Sequence, residues 1–223
     1  VCSSDLVNNV SGAFGAFRRS FLQKIGGWDT HTAEDLDITL RIKNYFGRRP
    51  LRIPFEPRAI GHTDAPVTFR QFLMQRLRWD GDLFFLYVRK HRHSFTPRLL
   101  GWPNFLVVLV SGFFFQLVLP FIILGYFIVG LYSLTLSTFL VLAWLVYLVY
   151  LANTLLAYVV AVCMVSERPR QDLWLCWVVP LFPLFMFVMR CWSAVAILNE
   201  MIRRGHEETS MAPWWVLRKA KRF

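Results

Sequence analysis

The segment from Phe105 to Val165 contains 61 consecutive residues without a single Asp, Glu, Lys, Arg or His. One helix of that length would measure about 90 Å, roughly three times the hydrocarbon thickness of a bilayer. The chain must therefore fold back, and we predict two membrane spans, at 105–131 and 138–165. A third apolar segment at 173–198 follows a short polar loop. The sequence thus predicts a membrane region of about three helices at 105–198.

Composition and charge narrow the choice of partners. Hydrophobic residues make up 56% of the 223 residues, which excludes disordered and collagen-like chains. The net charge of +11 could suit nucleic acid, but the basic residues before the first span are interleaved with acidic, aromatic and apolar ones. This distribution is typical of a cytoplasmic domain with basic membrane flanks. We therefore expect a lipid bilayer, and no nucleic acid, as a partner.

The two ends of the chain differ in composition from the segments between them. Residues 1–6 resemble translated adapter sequence, and we expect them to be non-native and a natural N-terminal portion to be missing. Residues 199–223 form a basic tail. A complete third crossing would place this tail outside, against the tendency of Lys and Arg to stay inside. The side of the membrane on which it lies stays open at the level of sequence.

Residues 7–104 have the pattern of a mixed α/β domain. Alternation predicts strands at 7–17 and 51–55, whereas a helix at 18–25 would end at Gly26 and Gly27. Helical spacing predicts further helices at 34–46 and 68–89, the second amphipathic, interfacial and interrupted near 80–82. The basic run at 89–93 lies just before the first span, and we expect it to contact an anionic leaflet.

Two small clusters carry residue types suited to chemistry. Glu34 and Asp35 begin a predicted helix, where a carboxylate is stabilised by the helix dipole and could serve as a general base. Gln75, Arg78 and Trp79 stand at i, i+3 and i+4, on one helical face. A guanidinium can bind a diphosphate and an indole can contact a sugar ring. Acids at helix starts, and Arg and Trp at membrane surfaces, are also common without any catalytic role.

In this order, Ala33-Glu34-Asp35, then Gln75-x-x-Arg78-Trp79, then membrane spans, the chain resembles the processive family 2 glycosyltransferases. These include the cellulose, hyaluronan, chitin and poly-N-acetylglucosamine synthases. The resemblance extends to Gly12-Ala13, Gly26-Gly27, Arg41 and Thr63-Asp64-Ala65-Pro66. Ala33 replaces a usual Thr, and Asp64 replaces a frequent Glu; neither change removes a reacting group.

The resemblance implies the C-terminal part of a GT-A-type domain that transfers sugar from a UDP-sugar, with UDP-glucose or UDP-N-acetylglucosamine as expected donors. Asp35 would be the base, supported by Glu34. Gln75 and Arg78 would bind the donor diphosphate, whereas Trp79, Gly12 and Ala13 would bind the acceptor. The expected location is the inner (plasma) membrane, with several spans and the catalytic domain in the cytoplasm.

The family also implies a Mg²⁺ or Mn²⁺ ion held by an Asp-x-Asp motif upstream of this sequence. Asp35-Leu36-Asp37 and Asp80-Gly81-Asp82 match that motif by letter only. The first pair contains the expected base, and the second follows Trp79, whereas the metal pair should precede the base. We therefore assign no metal ligand in this chain.

Three functions remain in consideration. The first is an inverting transferase that extends a polysaccharide, and the second is a non-processive enzyme that adds one sugar to a lipid-linked acceptor. The third is a non-catalytic membrane assembly module, which would require both motifs to occur in the right order by chance. We expect this fragment alone to be inactive.

Overall fold

The computed structural model describes residues 2–3, 9–12, 15–28, 30, 33–46, 53–55, 61–62 and 64–204. Ala13 and residues 205–223 of the basic tail therefore lie outside the described residues. The chain divides into two compact units. The first unit comprises residues 1–119 and 193–223, and the second comprises residues 120–192.

The part of the first unit before the apolar helices is mostly helical. Helix α1 (Arg19–Lys24) ends at Gly26 and Gly27, whose φ angles of 82° and 67° few other residues adopt. Helix α2 spans Glu34–Phe46, and α3 spans Phe69–Phe84 and continues as a π-helical turn, Phe85–Lys90. A capping box between Thr68 and Gln71 begins α3. The helices predicted at 18–25, 34–46 and 68–89 are thus confirmed, without the interruption expected near 80–82.

The described residues are mostly helical, and the α/β expectation is met only in part: Pro54–Phe55 is extended, within the strand predicted at 51–55. Their strands are limited to an antiparallel pairing of β1 (Cys2–Ser3) with β2 (Pro54–Phe55). Within the strand predicted at 7–17, residues 9–12 and 15–17 are not extended in a sheet. The backbone N–H of Val10 donates instead to the Thr39 hydroxyl, 3.0 Å away, so a helix side chain replaces a neighbouring strand.

Three continuous helices, Trp102–Ser133, Leu136–Val165 and Pro169–Arg203, are long and apolar enough to cross a membrane. We call them the first, second and third apolar helices. Their α-helical parts are α5 (Trp102–Val107) and α6 (Leu119–Ser133), α7 (Leu136–Val160), and α8 (Pro169–Asp172) and α9 (Phe182–Arg203). The remaining turns are π-helical at Val108–Val118 and Ala161–Val165 and 3₁₀-helical at Leu173–Leu181. Two short elements precede the first apolar helix: a 3₁₀ turn, Arg92–Ser94, and helix α4, Pro97–Leu100.

Within the second unit, two tyrosines join the second apolar helix to the third. The Tyr147 hydroxyl donates to the Pro180 carbonyl at 3.1 Å, and the Tyr158 hydroxyl donates to the Asp172 carbonyl at 2.9 Å. Each bond joins a side-chain hydroxyl of the second apolar helix to a backbone carbonyl of the third. The prediction of three apolar segments is confirmed, with slightly longer bounds.

Helix α2 contributes a large part of the buried core of the first unit. Leu36, Ile38, Leu40 and Ile42 are buried, and so are the polar side chains of Asp37 and Thr39. Lys43 is also buried, and its Nζ has no hydrogen-bond partner among the residues that the structure describes. Burial lowers the pKa of Lys43 from 10.5 to about 8.

We expect Lys43→Met to raise the free energy of unfolding at pH 7 by roughly 1–3 kcal/mol, because it removes a buried unpaired amine. The folded-state pKa lies below the unfolded value, so this gain is full below pH 8 and disappears as the pH rises to about 10.5. Thermal unfolding of the detergent-solubilised protein at several pH values measures it. Lys24→Met, at an exposed site, is the control. A lower melting temperature of Lys43→Met at pH 7 would contradict the expectation.

Candidate active site

Asp35 lies in the first turn of α2 and is half-buried. Its Oδ1 accepts a hydrogen bond from the Leu36 backbone N–H at 2.7 Å, and its Oδ2 accepts one from the Asn9 side-chain amide at 2.8 Å. Two fixed donors hold the carboxylate in one orientation at the positive end of a helix dipole. Part of its surface stays open to a ligand. Asp35 is therefore an oriented carboxylate that is partly accessible from outside.

The segment containing Gly12 passes directly beside Asp35. A Cβ placed on Gly12 would lie 3.2 Å from the Asp35 Cβ and 3.5 Å from the Glu34 Oε1. A side chain at position 12 would thus crowd the carboxylate. The structure brings together three of the residues singled out from the sequence, Gly12, Glu34 and Asp35. Ala13, the fourth, is outside the described residues.

The backbone around Asp35 is held by residues that the sequence patterns did not reveal. Thr39 donates its hydroxyl to the Asp35 carbonyl at 2.7 Å and accepts from the Val10 N–H, which fixes the segment of Asn9 against α2. Ala33, just before the helix, has a φ of 44°, in the left-handed region that non-glycine residues rarely adopt. Such backbone conformations are concentrated at functional sites. Only the spacing Asp35–Thr39, i to i+4, was available as a sequence signal.

Gln75, Arg78 and Trp79 lie in the middle of α3, as predicted. Gln75 is half-buried, whereas Arg78 and Trp79 are exposed. Arg76, which the sequence analysis missed, places its guanidinium 4.9 Å from the Trp79 ring centroid. A cation over one ring face fixes the indole and leaves less of it for a ligand. The i, i+3 spacing of Arg76 and Trp79 was the signal that could have revealed this pair.

Asp37 is fully buried and bonded to three basic side chains. Its Oδ1 lies 2.7 Å from His91 Nε2 and 2.9 Å from Lys90 Nζ, and its Oδ2 lies 2.9 Å from Arg41 Nε. Burial alone would raise the pKa of Asp37. The hydrogen bonds from His91 and Lys90 and the charges of Lys90 and Arg41 outweigh burial and lower the pKa below its usual value. Asp37 is thus an ionised carboxylate that is already neutralised.

Neither literal Asp-x-Asp pair fits a divalent cation. Asp37 is surrounded by positive charge, which repels a metal ion. Asp80 and Asp82 are buried in α3, where Asp80 Oδ2 accepts from the Ser193 hydroxyl at 2.6 Å. Within the part of the chain that the structure describes, no group of three or more His, Cys, Asp or Glu side chains could hold a metal ion.

The two candidate clusters belong to the same unit. In the described part of the chain, no hydrogen bond or ion pair joins Asp35 to Gln75, Arg78 or Trp79. They are connected indirectly: Asp37, two residues after Asp35, is bonded to Lys90 and His91, at the end of the helix that begins with α3.

Residues 3–216 match the profile of the family described as "Glycosyl transferase family group 2". No solved structure matches the chain.

Individual relatives match a shorter region. The "Probable glycosyltransferase YdaM" of Bacillus subtilis is 36% identical over 74 residues, which are 33% of this chain and 17% of that protein. The "Poly-beta-1,6-N-acetyl-D-glucosamine synthase" of Staphylococcus epidermidis is 32% identical over 74 residues, again 33% of this chain and 17% of the relative. The match thus spans about a sixth of the length of these curated relatives.

Proposed function

Because the chain belongs to glycosyl transferase family group 2, we propose that it transfers a sugar from a nucleoside diphosphate donor to an acceptor hydroxyl at a membrane, with inversion at the anomeric carbon. The observation that carries this proposal is the oriented Asp35 carboxylate, with Gly12 against it. The three long apolar helices support a location at the bilayer.

In the proposed reaction, Asp35 takes the proton of the acceptor hydroxyl. The acceptor oxygen attacks the anomeric carbon, the bond from that carbon to the diphosphate oxygen breaks, and the nucleoside diphosphate leaves with the electron pair. Asn9 and the Leu36 N–H keep the carboxylate oriented for this transfer. The absence of a side chain at Gly12 leaves room for the acceptor beside Asp35.

Gln75, Arg78 and Trp79 are the proposed ligands of donor and acceptor. Arg78 is exposed and can make charge-assisted hydrogen bonds to the diphosphate, which gains negative charge as it leaves. Gln75 would add an amide donor. Trp79 offers the acceptor sugar the part of its ring that Arg76 does not cover.

The donor and product are proposed from the relatives and the apolar helices. The similarity to a poly-β-1,6-N-acetyl-D-glucosamine synthase favours UDP-N-acetylglucosamine over UDP-glucose as the donor. The favoured acceptor is a growing polysaccharide. The alternative is the addition of one sugar to a lipid-linked acceptor. The Mg²⁺ or Mn²⁺ ion expected for this family has no suitable ligand group among the described residues, so we propose that its ligands lie outside them.

We expect Asp35→Asn in the complete enzyme to lower the transfer rate by about 100-fold or more, because an amide cannot accept the proton. The Kd of the nucleotide sugar should stay within about twofold of wild type, because the diphosphate contacts are kept. Transfer of radiolabelled sugar in membranes and donor titration measure the two effects. Glu167→Gln, an exposed acid between the second and third apolar helices, is the control. Transfer by Asp35→Asn within a fewfold of the control would exclude Asp35 as the base.

Substitutions in α3 should separate donor from acceptor binding. Arg78→Ala is expected to weaken donor binding by about tenfold to a hundredfold, because it removes charged hydrogen bonds to phosphate. Trp79→Ala is expected to raise the acceptor KM by about three- to tenfold, because it removes stacking on the sugar. Arg70→Ala, exposed in the first turn of α3, is the control. Equal donor and acceptor defects in both variants would refute this division of roles.

The product distinguishes the polysaccharide proposal from the lipid alternative. With the complete enzyme in proteoliposomes and UDP-N-acetylglucosamine on the side of the catalytic domain, we expect long product enclosed within the vesicles. Products are sized by gel filtration before and after digestion by an added glycosidase. One sugar on extractable lipid, at every donor concentration, would instead establish the non-processive reaction.

A further inference from the structure

Three consecutive basic residues, Arg89, Lys90 and His91, contact two buried carboxylates on two different helices. We call this segment the basic junction. It begins in the last turns of the helix that continues α3. From the sequence we expected this run to contact an anionic leaflet; in the structure, the side chains of these three residues pair with carboxylates of the protein itself. Arg92 and His93 remain exposed.

One side of the junction contacts α2. Lys90 Nζ lies 2.9 Å and His91 Nε2 lies 2.7 Å from the same oxygen of Asp37, and both basic side chains are nearly buried. The other Asp37 oxygen accepts from Arg41, whose guanidinium also donates to the carbonyls of Ile25 and Gly27. Asp37 thus ties together the junction, the helix of Asp35 and the turn after α1.

The other side of the junction contacts the end of the third apolar helix. Arg89 Nη1 donates to Glu200 Oε1 at 3.0 Å, and its Nη2 donates to the carbonyls of Glu200 and Met201. The Glu200 side chain is 2% exposed. Gly81 of α3 lies against the same residue, since a Cβ there would be 3.4 Å from the Glu200 Cβ. Ser193, about two turns before Glu200, donates to Asp80.

The ion pairs of Asp37 and Glu200 with the basic junction are costly to break, and they fix the relative positions of the helices that they join. Removing one partner of a buried ion pair leaves a charge without water or counter-charge, which is strongly destabilising. Replacing both partners by neutral residues is often nearly neutral for stability. The pairs therefore contribute less to net stability than to the fixed placement of the helices that they join.

We propose that Asp37 and Glu200 are positioning residues for the transfer reaction. This inference rests on the proposed function. Through the basic junction they hold α2, with Asp35, and the end of the third apolar helix at fixed places relative to α3, with Arg78 and Trp79. Neither carboxylate contacts the substrates. Each acts through the helix on which the reacting or binding groups stand.

A positioning role predicts a specific kinetic defect. When reacting groups are misplaced by about 1 Å, the rate can fall by up to about a hundredfold although each group is present. Donor binding depends on α3 alone in this proposal, so the donor Kd should hardly change. The loss should appear in the turnover of enzyme that has bound its donor.

The test compares single and double variants of the complete membrane protein in detergent. Asp37→Asn and Glu200→Gln should each lower the melting temperature, because a buried cation loses its partner. The double variant R89M/E200Q should recover most of that loss, and D37N/K90M should recover part of it, because Arg41 and His91 remain without the carboxylate. Both should turn over about tenfold more slowly per bound donor. Donor titration counts the competent sites. Arg92→Gln, in the same basic run but bonded only to His93 in the described structure, should match wild type in both measurements.

The outcomes separate this inference from the function on which it rests. Double variants with recovered melting temperatures and turnover within about twofold of Arg92→Gln would overturn the positioning role, because the pairs would then serve stability alone. If a double variant does not fold, D37E and E200D carry the same comparison, since they keep the charge and change the length by one methylene. Wild-type enzyme that neither binds nor transfers sugar would overturn the proposed function, and this inference with it.

Discussion

The burial of the Asp37 carboxylate is the interaction on which the rest of the first unit depends. A carboxylate without water is tolerated only when cations and hydrogen-bond donors surround it. Arg41, Lys90 and His91 meet that need. Arg41 lies on α2 and also bonds to the turn after α1, whereas the neighbouring Lys90 and His91 bring the end of the α3 helix to α2. The position of α2, and hence of Asp35, follows from the neutralisation of one buried charge.

The same logic explains how the domain is connected to its apolar helices. Glu200, at the end of the third apolar helix, is paired with Arg89, the neighbour of the two residues that neutralise Asp37. Tyr87, four residues before His91, packs against Gly112 of the first apolar helix, where a Cβ would come within 2.6 Å of the Tyr87 hydroxyl. Burial raises the pKa of Tyr87 to about 12, so this hydroxyl stays neutral. The helix formed by α3 and its π-helical continuation thus carries Gln75, Arg78 and Trp79 near its centre. Its end carries Tyr87, Arg89 and Lys90, which make the contacts described above.

The site could be predicted from the sequence only as far as local patterns reach. Glu34 and Asp35 were placed at the start of a helix that runs from Glu34 to Phe46, and Gln75, Arg78 and Trp79 on a shared helix. The partners that orient Asp35 were not predictable in this way, because Asn9 lies 26 residues away. The predicted strand at 7–17 failed for a related reason. Alternation of side chains indicates a strand only if another strand is available to bond with it, and the Val10 amide bonds to Thr39 instead.

The sequence by itself determined the three apolar helices, the helices of the domain and the identity of the candidate reacting groups. These depend on residues three or four positions apart, or on an unbroken length without charge, and both can be read along the chain. Only the tertiary structure decided which charges meet. Arg89 and Glu200 are 111 positions apart, and Asp37 and His91 are 54 apart, so no periodicity relates them. The reason is physical. A basic residue before an apolar helix has the same local sequence whether its side chain contacts lipid headgroups or a buried carboxylate. Only the packing of distant segments decides whether water is excluded around that side chain.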